Sequence, residues 1–352
     1  MKKSLVLLLV ILTAFTVFAY DRTYQDIGEN IVAKVNGEII ELNLLNARSN
    51  SVQLFSQIRE INQDFFNLLI YSDEGNKLLD LYSKDVLERI INQILFIQFV
   101  ESKEIEMSRE YLKEMIYDNV ENLFSDPSYT KDELEYFLLS QGYEDKESLK
   151  VDTYYKYLYD NSIQMLYEVI ASEYQISDEE IKKEYDTNKN LYVSKPTAEI
   201  KMIRFSNIDE ASRTYKRILD GYYSFEEVYA EIEKTGDANN LPVEITDEES
   251  EIMQIIKNNP VGFVSKPMEA VKAGESFFFK IDKKNPSRQL SFEDVKMTIT
   301  YKLQDEKAKI YFENDLDKDF KEFKNNSNVI INTKHFMEWK YSEKAKRRKE
   351  KP

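Results

Sequence analysis

The chain has 352 residues, no Cys, a single His and only 8 Gly. Folds built from many tight turns need residues that tolerate positive φ, so this shortage of Gly argues against propellers, jelly rolls and immunoglobulin-like sandwiches. A hydrophobic fraction of 42% is enough for a sizeable core, and the length predicts two or more domains. The net charge of −16 argues against binding to nucleic acid.

The scarcity of Cys and His excludes several kinds of site. Without Cys the chain can hold no disulfide, thiolate nucleophile, zinc–thiolate site or iron–sulfur cluster. Because His335 is the only imidazole, no metal or catalytic site can use two of them. We therefore expect no metal and no cofactor. Carboxylates and lysines are so frequent that their presence favours no particular mechanism.

The N-terminus has the pattern of a secretory signal peptide. Lys2 and Lys3 precede an almost unbroken apolar run over residues 5–18, and small or β-branched residues stand before a cut at Tyr20. Cleavage of residues 1–19 would change the net charge from −16 to −18. We expect a periplasmic or other extracytoplasmic location. The alternative is an uncleaved anchor, for which the apolar run is shorter than the roughly 20 residues that usually span a membrane.

Two β segments lie far apart in the sequence. Residues 31–40 predict a tight hairpin, because Asn36-Gly37 between β-branched residues is the strongest short hairpin signal. Residues 329–331 are a short apolar run that needs a strand partner, and the hairpin is the natural one. Pairing would join the two ends of the chain into one domain. Residues 196–286 hold 9 of the 15 Gly and Pro residues and would form an inserted domain.

Apolar periodicity predicts helices on both sides of the inserted segment. They are expected at residues 78–100, 108–123, 130–140, 146–173, 177 to about 192, and 292–323. A further apolar stretch, residues 52–71, either covers or extends a binding surface, and the sequence favours neither role. The pattern predicts a mainly α fold with an α+β insert, in which the helical domain is closed by a small β pairing.

Five segments, in the correct order, resemble exported chaperones of the SurA and PrsA type. They are Val32-Ala-Lys-Val-Asn-Gly-Glu-Ile-Ile40, residues 86–95, Leu138-Leu-Ser-Gln-Gly142 with the residues up to 149, residues 176–185, and the returning segment 295–331. The resemblance implies a helical chaperone domain from residues 20–195 and 287–334, a parvulin-like domain at 196–286 and a basic tail at 335–352. Its implied partners are unfolded polypeptide clients.

The parvulin-like segment lacks the histidines of its family. The first strand, residues 197–205, has Met202 where the family has one His, and the last strand has Phe277 in place of the second. Residues 239–243 take the place of the family's glycine-rich turn. Met and Phe cannot supply the hydrogen bonds that organise the isomerase pocket. We therefore expect no catalytic residues, and Met202, Phe205 and Phe277 become candidates for lining a peptide-binding pocket.

The densest aromatic segment offers a second group of candidates. Tyr154, Tyr155, Tyr157 and Tyr159 could contact many client sequences, because tyrosine gives contact area with little demand on partner geometry. The alternative is that they pack on the core of their own helix.

The tail from residue 340 to 352 has seven basic residues against two acidic ones. It is either a solvated terminus or a weak contact to anionic lipid or to the acidic body of the protein.

Three functions remain compatible with the sequence. The preferred one is an exported chaperone whose client cradle lies between the helical and parvulin-like domains. The others are an active peptidyl-prolyl isomerase that uses other pocket residues, and an assembly protein of the cell envelope that only reuses the fold.

Overall fold

The computed structural model describes residues 21–270 and 274–336. The predicted signal peptide and the basic tail beyond residue 336 lie outside the described residues. The described chain divides into two compact units. The second unit is Ile176–Leu303, and the first contains the residues on both sides of it. The domain boundaries given above stay a prediction.

The first unit is mainly helical. Its helices before the second unit are α1 (Leu42–Ser49), α2 (Ser51–Ile61), α3 (Gln63–Tyr71), α4 (Asp73–Glu101), α5 (Arg109–Ser125), α6 (Lys131–Gln141) and α7 (Lys146–Glu173). Helix α12 (Phe292–Asn314) begins in the second unit and ends in the first, where α13 (Leu316–Asn325) follows. The helix expected at residues 292–323 is therefore broken at Asp315, and α13 buries Leu316 and Phe320 in the core of the first unit.

A four-stranded sheet joins the two ends of the first unit. Its strands are β1 (Asp21–Gln25), β2 (Ile31–Val35), β3 (Glu38–Glu41) and β8 (Asn328–Asn332), in the spatial order β1-β8-β2-β3. The hairpin of β2 and β3 and its antiparallel pairing with β8 are confirmed. Strand β1, which pairs with β8 in parallel, was not predicted.

One apolar core holds the first unit together. It contains the central helix α4, the long helix α7, the last helix and the inner side of the sheet. The fully buried side chains include Leu87, Ile91, Leu95, Phe96, Leu158, Leu166, Phe320, Val329 and Ile331. Helix α4 is buried on most of its circumference in its C-terminal half.

The second unit is an α+β fold. Its sheet has the order β5-β4-β7-β6, with β4 (Thr197–Phe205), β5 (Ala238–Glu244), β6 (Met268–Glu269) and β7 (Ser276–Asn285) all antiparallel to their neighbours. Its helices are α8 (Asp178–Thr187), α9 (Ile208–Leu219), α10 (Phe225–Glu233), α11 (Glu251–Asn258) and the first part of α12. Helix α8 ends earlier than expected, at Thr187, and a short 3-10 turn at Lys189–Leu191 follows. The mainly α fold with an α+β insert is confirmed.

Candidate functional site

Met202 and Phe277, the positions that align with the family's two histidines, lie on one face of the second sheet. Met202 of β4 pairs with Phe279 of β7, whereas Phe277 of β7 pairs with Arg204. Side chains alternate along a strand, so this register places all four on the same face. Met202 and Phe277 are diagonal neighbours, and such pairs lie about 7–8 Å apart.

The face that carries Met202 and Phe277 is apolar and only partly covered. Its buried centre consists of Ala198, Ile200, Phe279 and Ile281, with Ile256 of α11 packed on them. Half-buried apolar side chains surround this centre: Met202, Leu241, Val243, Ile252, Ile255, Phe263, Met268 and Phe277. We call this surface the apolar face. Being partly open to solvent, it can bind apolar side chains of a peptide.

Residues 262–265 border the apolar face beside β7. The N–H of Ser265 donates to the carbonyl oxygen of Phe279 (2.8 Å), and the N–H of Phe279 donates to Oγ of Ser265 (3.0 Å). Three residues before Ser265, the N–H of Gly262 donates to the carbonyl oxygen of Ile281 (2.7 Å). The sequence analysis did not assign this role to Ser265, whose buried hydroxyl fixes the edge of the face.

Two polar side chains stand on the apolar face. Asn239 pairs with Met202 across the β4–β5 ladder and is half-buried, and Arg204, opposite Phe277, is exposed. Neither can exchange a proton near neutral pH as an imidazole can. In residues 21–270 and 274–336, no three His, Cys, Asp or Glu side chains are grouped so that they could hold a metal ion.

Phe205 lies on the opposite face of the sheet. It is buried and stacks on Phe278, with 5.3 Å between the ring centroids, in a core that also contains Phe225 and Tyr229. The sheet therefore separates Phe205 from Met202 and Phe277. The three candidates therefore do not line one pocket. Only Met202 and Phe277 remain candidates for peptide binding.

An ionic cluster lies on the same side of the sheet as Phe205. Glu226 of α10 accepts hydrogen bonds from Nζ of Lys280 (2.6 Å) and Nζ of Lys201 (3.0 Å). These hydrogen bonds lower the pKa of the Glu226 carboxyl, and the bond from Lys280 has the largest effect. The cluster ties α10 to β4 and β7 on the side of the sheet opposite the apolar face.

Residues 239–243, which take the place of the family's glycine-rich turn, are extended and lie within β5. Asn239 pairs with Met202, and Leu241 pairs with Ile200. Pro242 is tolerated because β5 is an edge strand, where a missing N–H breaks no ladder bond. The segment thus adds apolar side chains to the face.

Three of the four candidate tyrosines of α7 face the core of the first unit. Tyr154 is buried, and Tyr159 packs edge-on against Phe96 with 5.5 Å between ring centroids. Burial raises the pKa of the Tyr159 hydroxyl to about 12. Tyr155 is partly buried on the same core. Only Tyr157, 56% exposed, presents its ring to solvent.

A polar network lies beneath the hairpin and was missed by the sequence analysis. Glu38 accepts hydrogen bonds from Tyr155 (3.1 Å), from Arg109 (2.9 Å) and from Gln98 (3.0 Å). Arg109 also binds both carboxylate oxygens of Glu101 (2.5 and 2.8 Å). The network locks the hairpin to α4, α5 and α7, so Tyr155 has a structural role.

No helix within the described ranges is long and apolar enough to cross a membrane.

Comparison with known proteins covers both units. A family model of SurA-like N-terminal domains matches residues 2–150, and a model of the PPIC-type PPIase domain matches residues 176–297. The chain thus combines a SurA-like N-terminal segment with a PPIC-type segment, the two domains of the SurA and PrsA type. The resemblance stated from the sequence is confirmed.

Relatives of this type are similar over most of their length. The foldase protein PrsA of Clostridium perfringens is 25% identical over 317 residues, which are 84% of this chain and 86% of the relative. A PrsA foldase of Clostridium botulinum is 25% identical over 306 residues, 82% and 84% of the two chains.

Solved structures of a SurA-like chaperone and of a PrsA foldase are also similar to this chain. One SurA-like chaperone of Campylobacter jejuni is 16% identical, with 86% of this chain and 99% of that chain covered and a TM-score of 0.28. A PrsA foldase of Lactococcus lactis is 13% identical, covers 86% and 95%, and has a TM-score of 0.31.

Proposed function

We propose that this SurA- and PrsA-type protein is an exported chaperone that binds unfolded polypeptides, and that its PPIC-type domain is inactive as a prolyl isomerase. The observation that carries the proposal is the apolar face, where Met202 and Phe277 occupy the aligned histidine positions. The face can hold apolar side chains and offers no imidazole.

The absence of catalysis follows from the chemistry of these two side chains. Isomerisation requires a pocket that stabilises a twisted imide through positioned hydrogen bonds. A thioether accepts hydrogen bonds only weakly, and a phenyl ring donates none. Peptide binding without rate enhancement is the expected behaviour of such a face.

Export and domain limits are part of the same proposal. The signal peptide at residues 1–19 would be removed, and the mature chain would act outside the cytoplasm. The signal-peptide pattern of residues 1–19 supports this location. The parvulin-like domain would span residues 196–286 within the second unit.

The test uses the mature full-length chain in two parallel assays. In a protease-coupled assay on a proline-containing peptide, we expect a rate equal to the uncatalysed rate. In a light-scattering assay, we expect suppression of aggregation of a chemically unfolded client at near-stoichiometric ratios. Absence of suppression would overturn the chaperone assignment, and isomerisation at the level of an active parvulin would overturn the inactive one.

A second candidate function is an isomerase with a different pocket chemistry. Asn239 and Arg204 favour it, because they are the polar side chains that the β4 and β5 registers place beside Met202 and Phe277. If the chain accelerates isomerisation, the variants Asn239→Ala and Arg204→Ala distinguish this chemistry. A loss of activity in either would assign catalysis to the apolar face.

A further inference from the structure

The first unit exposes six large apolar side chains on a run of consecutive helices that ends in the first turns of its central helix. We call residues 51–81, which comprise α2, α3 and the first turns of α4, the arm. Its most exposed apolar side chains, with their exposed fractions, are Ile61 (86%), Tyr71 (79%), Leu68 (64%), Leu81 (61%), Leu78 (54%) and Phe65 (51%). Exposed apolar groups that cluster in this way mark interaction surfaces.

The exposed side chains form neighbouring pairs. Phe65 and Leu68 are three residues apart on α3, as are Leu68 and Tyr71, and the same spacing joins Leu78 to Leu81 on α4. Residues at this spacing share a helix face. Their helices also touch at the intervening turn.

Gly75 shows how closely α3 and α4 approach each other. A Cβ atom added at Gly75 would lie 2.2 Å from the carbonyl oxygen of Leu69 and 2.6 Å from that of Leu68. The two helices therefore pack backbone to backbone where they meet, which keeps the exposed groups of α3 beside the start of α4.

The arm has its own apolar interior. Leu69 is buried, Phe55 and Phe66 pack edge-on with 6.3 Å between ring centroids, and the guanidinium of Arg59 lies 5.3 Å from the centre of the Phe66 ring. These inner contacts hold the arm together. Its exposed apolar residues are therefore available to a partner without unfolding of the arm.

The charge of the arm indicates what that partner carries. The arm has five acidic residues against two basic ones, a net charge of −3. Glu60, Asp64, Asp73 and Glu74 are exposed, and within the described residues none of them forms an ion pair. Asp64, Asp73 and Glu74 lie in first turns of helices, where carboxylates stabilise the helix. Glu60 lies at the opposite end of α2, where a carboxylate has no such effect.

We propose that the arm binds segments of unfolded polypeptide that combine apolar side chains with a net positive charge. The inference rests on the proposed chaperone function and names the class of client that this surface selects. Apolar side chains of the client would cover Phe65, Leu68 and Leu78, and its lysines or arginines would meet the carboxylates around them. An anionic membrane is disfavoured as the occupant because the arm is itself acidic.

The test compares three fluorescent peptides of equal length and equal apolar content, with lysine, serine or glutamate at the polar positions. Anisotropy titrations of the mature full-length chain at low salt should give an affinity for the lysine peptide at least tenfold above that for the glutamate peptide. The difference should shrink when the salt concentration is raised, because screening weakens exposed charge pairs. Equal affinities for the three peptides would overturn the charge preference.

Two variants locate the binding to the arm. Phe65→Ser with Leu68→Ser should weaken binding of the lysine peptide at least tenfold. The matched control, Tyr136→Ser with Leu139→Ser, removes exposed apolar side chains from α6 and should leave it unchanged. Glu60→Lys with Asp64→Lys should remove the preference for the lysine peptide, and circular dichroism would verify that each variant keeps its helix content.

The outcomes separate this inference from the chaperone function. Suppression of aggregation by the wild-type chain together with unchanged lysine-peptide binding in the Phe65/Leu68 variant would overturn the arm as the site and leave the proposed function intact. Failure of the wild-type chain to suppress aggregation would overturn the proposed function itself. Binding of the arm to anionic vesicles, lost in the Phe65/Leu68 variant, would also overturn a polypeptide occupant.

Discussion

Met202 and Phe277 are diagonal neighbours on adjacent antiparallel strands, each two residues along its strand from the position directly opposite the other. Met202 stands opposite Phe279, and Phe277 stands opposite Arg204. The alignment that assigned both positions to the family's histidines used the sequence alone. A shared face and diagonal positions would allow two side chains to act together, although neither Met nor Phe can carry a proton.

The neighbourhood of Met202 and Phe277 predicts how introduced histidines would titrate. In the double variant Met202→His/Phe277→His, protonation of one imidazole disfavours protonation of the other, so one pKa should fall below the ordinary value of about 6.5. NMR titration of the ring protons measures both, and the two single variants supply the uncoupled values. Titration of the double variant as the sum of the single variants would show that the positions are not neighbours.

Ser265 and Ser276 are both buried in the second unit, and we expect their substitution by Ala to change the free energy of unfolding differently. Ser276 Oγ is buried and has no hydrogen-bond partner among residues 21–270 and 274–336, whereas Ser265 Oγ accepts a hydrogen bond from the N–H of Phe279. Ser276→Ala should leave the free energy of unfolding unchanged or raise it by up to about 1 kcal/mol, and Ser265→Ala should lower it by about 1–2 kcal/mol. Urea unfolding of both variants measures this, and a larger loss for Ser276→Ala than for Ser265→Ala would contradict it.

Much of the fold could be predicted because local signals agree with the tertiary contacts. The Asn36-Gly37 turn and the apolar run at residues 329–331 each have the predicted partner. The helices that follow Thr130 and Ser177 begin with capping boxes, which are local sequence signals. Strand β1 could not be predicted, because it has no apolar alternation. Main-chain pairing with β8 holds it, as does the ion pair of Arg22 with Glu88 (2.5 Å).

The candidate site was only partly predictable for a similar reason. Alignment with the family identified Met202 and Phe277 as the positions of the two histidines. Met202 and Phe205 are an odd number of residues apart on one strand, so their side chains lie on opposite faces of the sheet. Strand alternation was therefore a signal that could have removed Phe205. The burial of Tyr154, Tyr155 and Tyr159 depends on partners such as Phe96 and Glu38 from distant elements, which helix periodicity does not identify.

The tyrosines of α7 predict a clear contrast in stability. Tyr159 packs on Phe96 in the core, and Tyr157 is 56% exposed. Tyr159→Ala should lower the free energy of unfolding by about 3 kcal/mol, as expected for loss of a large core side chain. Tyr157→Ala should change it by less than about 0.5 kcal/mol. Thermal unfolding of the two variants measures the contrast, and equal shifts would show that Tyr157 also contributes to the core.

Glu184 predicts a pH dependence of stability in the second unit. Its carboxylate accepts hydrogen bonds from Lys302, from the hydroxyl of Tyr192 (3.0 Å) and from Nδ2 of Asn188 (2.9 Å). The bond from Lys302 is the main reason that the pKa of Glu184 lies below its ordinary value. A group whose pKa is lowered by folding stabilises the protein above its ordinary pKa, and the stabilisation is lost as the pH falls through the folded-state pKa.

The stability difference between the wild-type chain and Glu184→Gln should therefore be constant from pH 7 to about pH 5 and shrink below the ordinary glutamate pKa of about 4.3. Urea unfolding at a series of pH values measures it. Glu179→Gln, on the exposed first turn of the same helix, is the matched control and should show a much smaller difference at pH 7. A Glu184→Gln difference that persisted unchanged to pH 3.5 would mean that these hydrogen bonds do not depend on the charge of Glu184. The carboxylate would then contribute only its shape to the contact between α8 and α12.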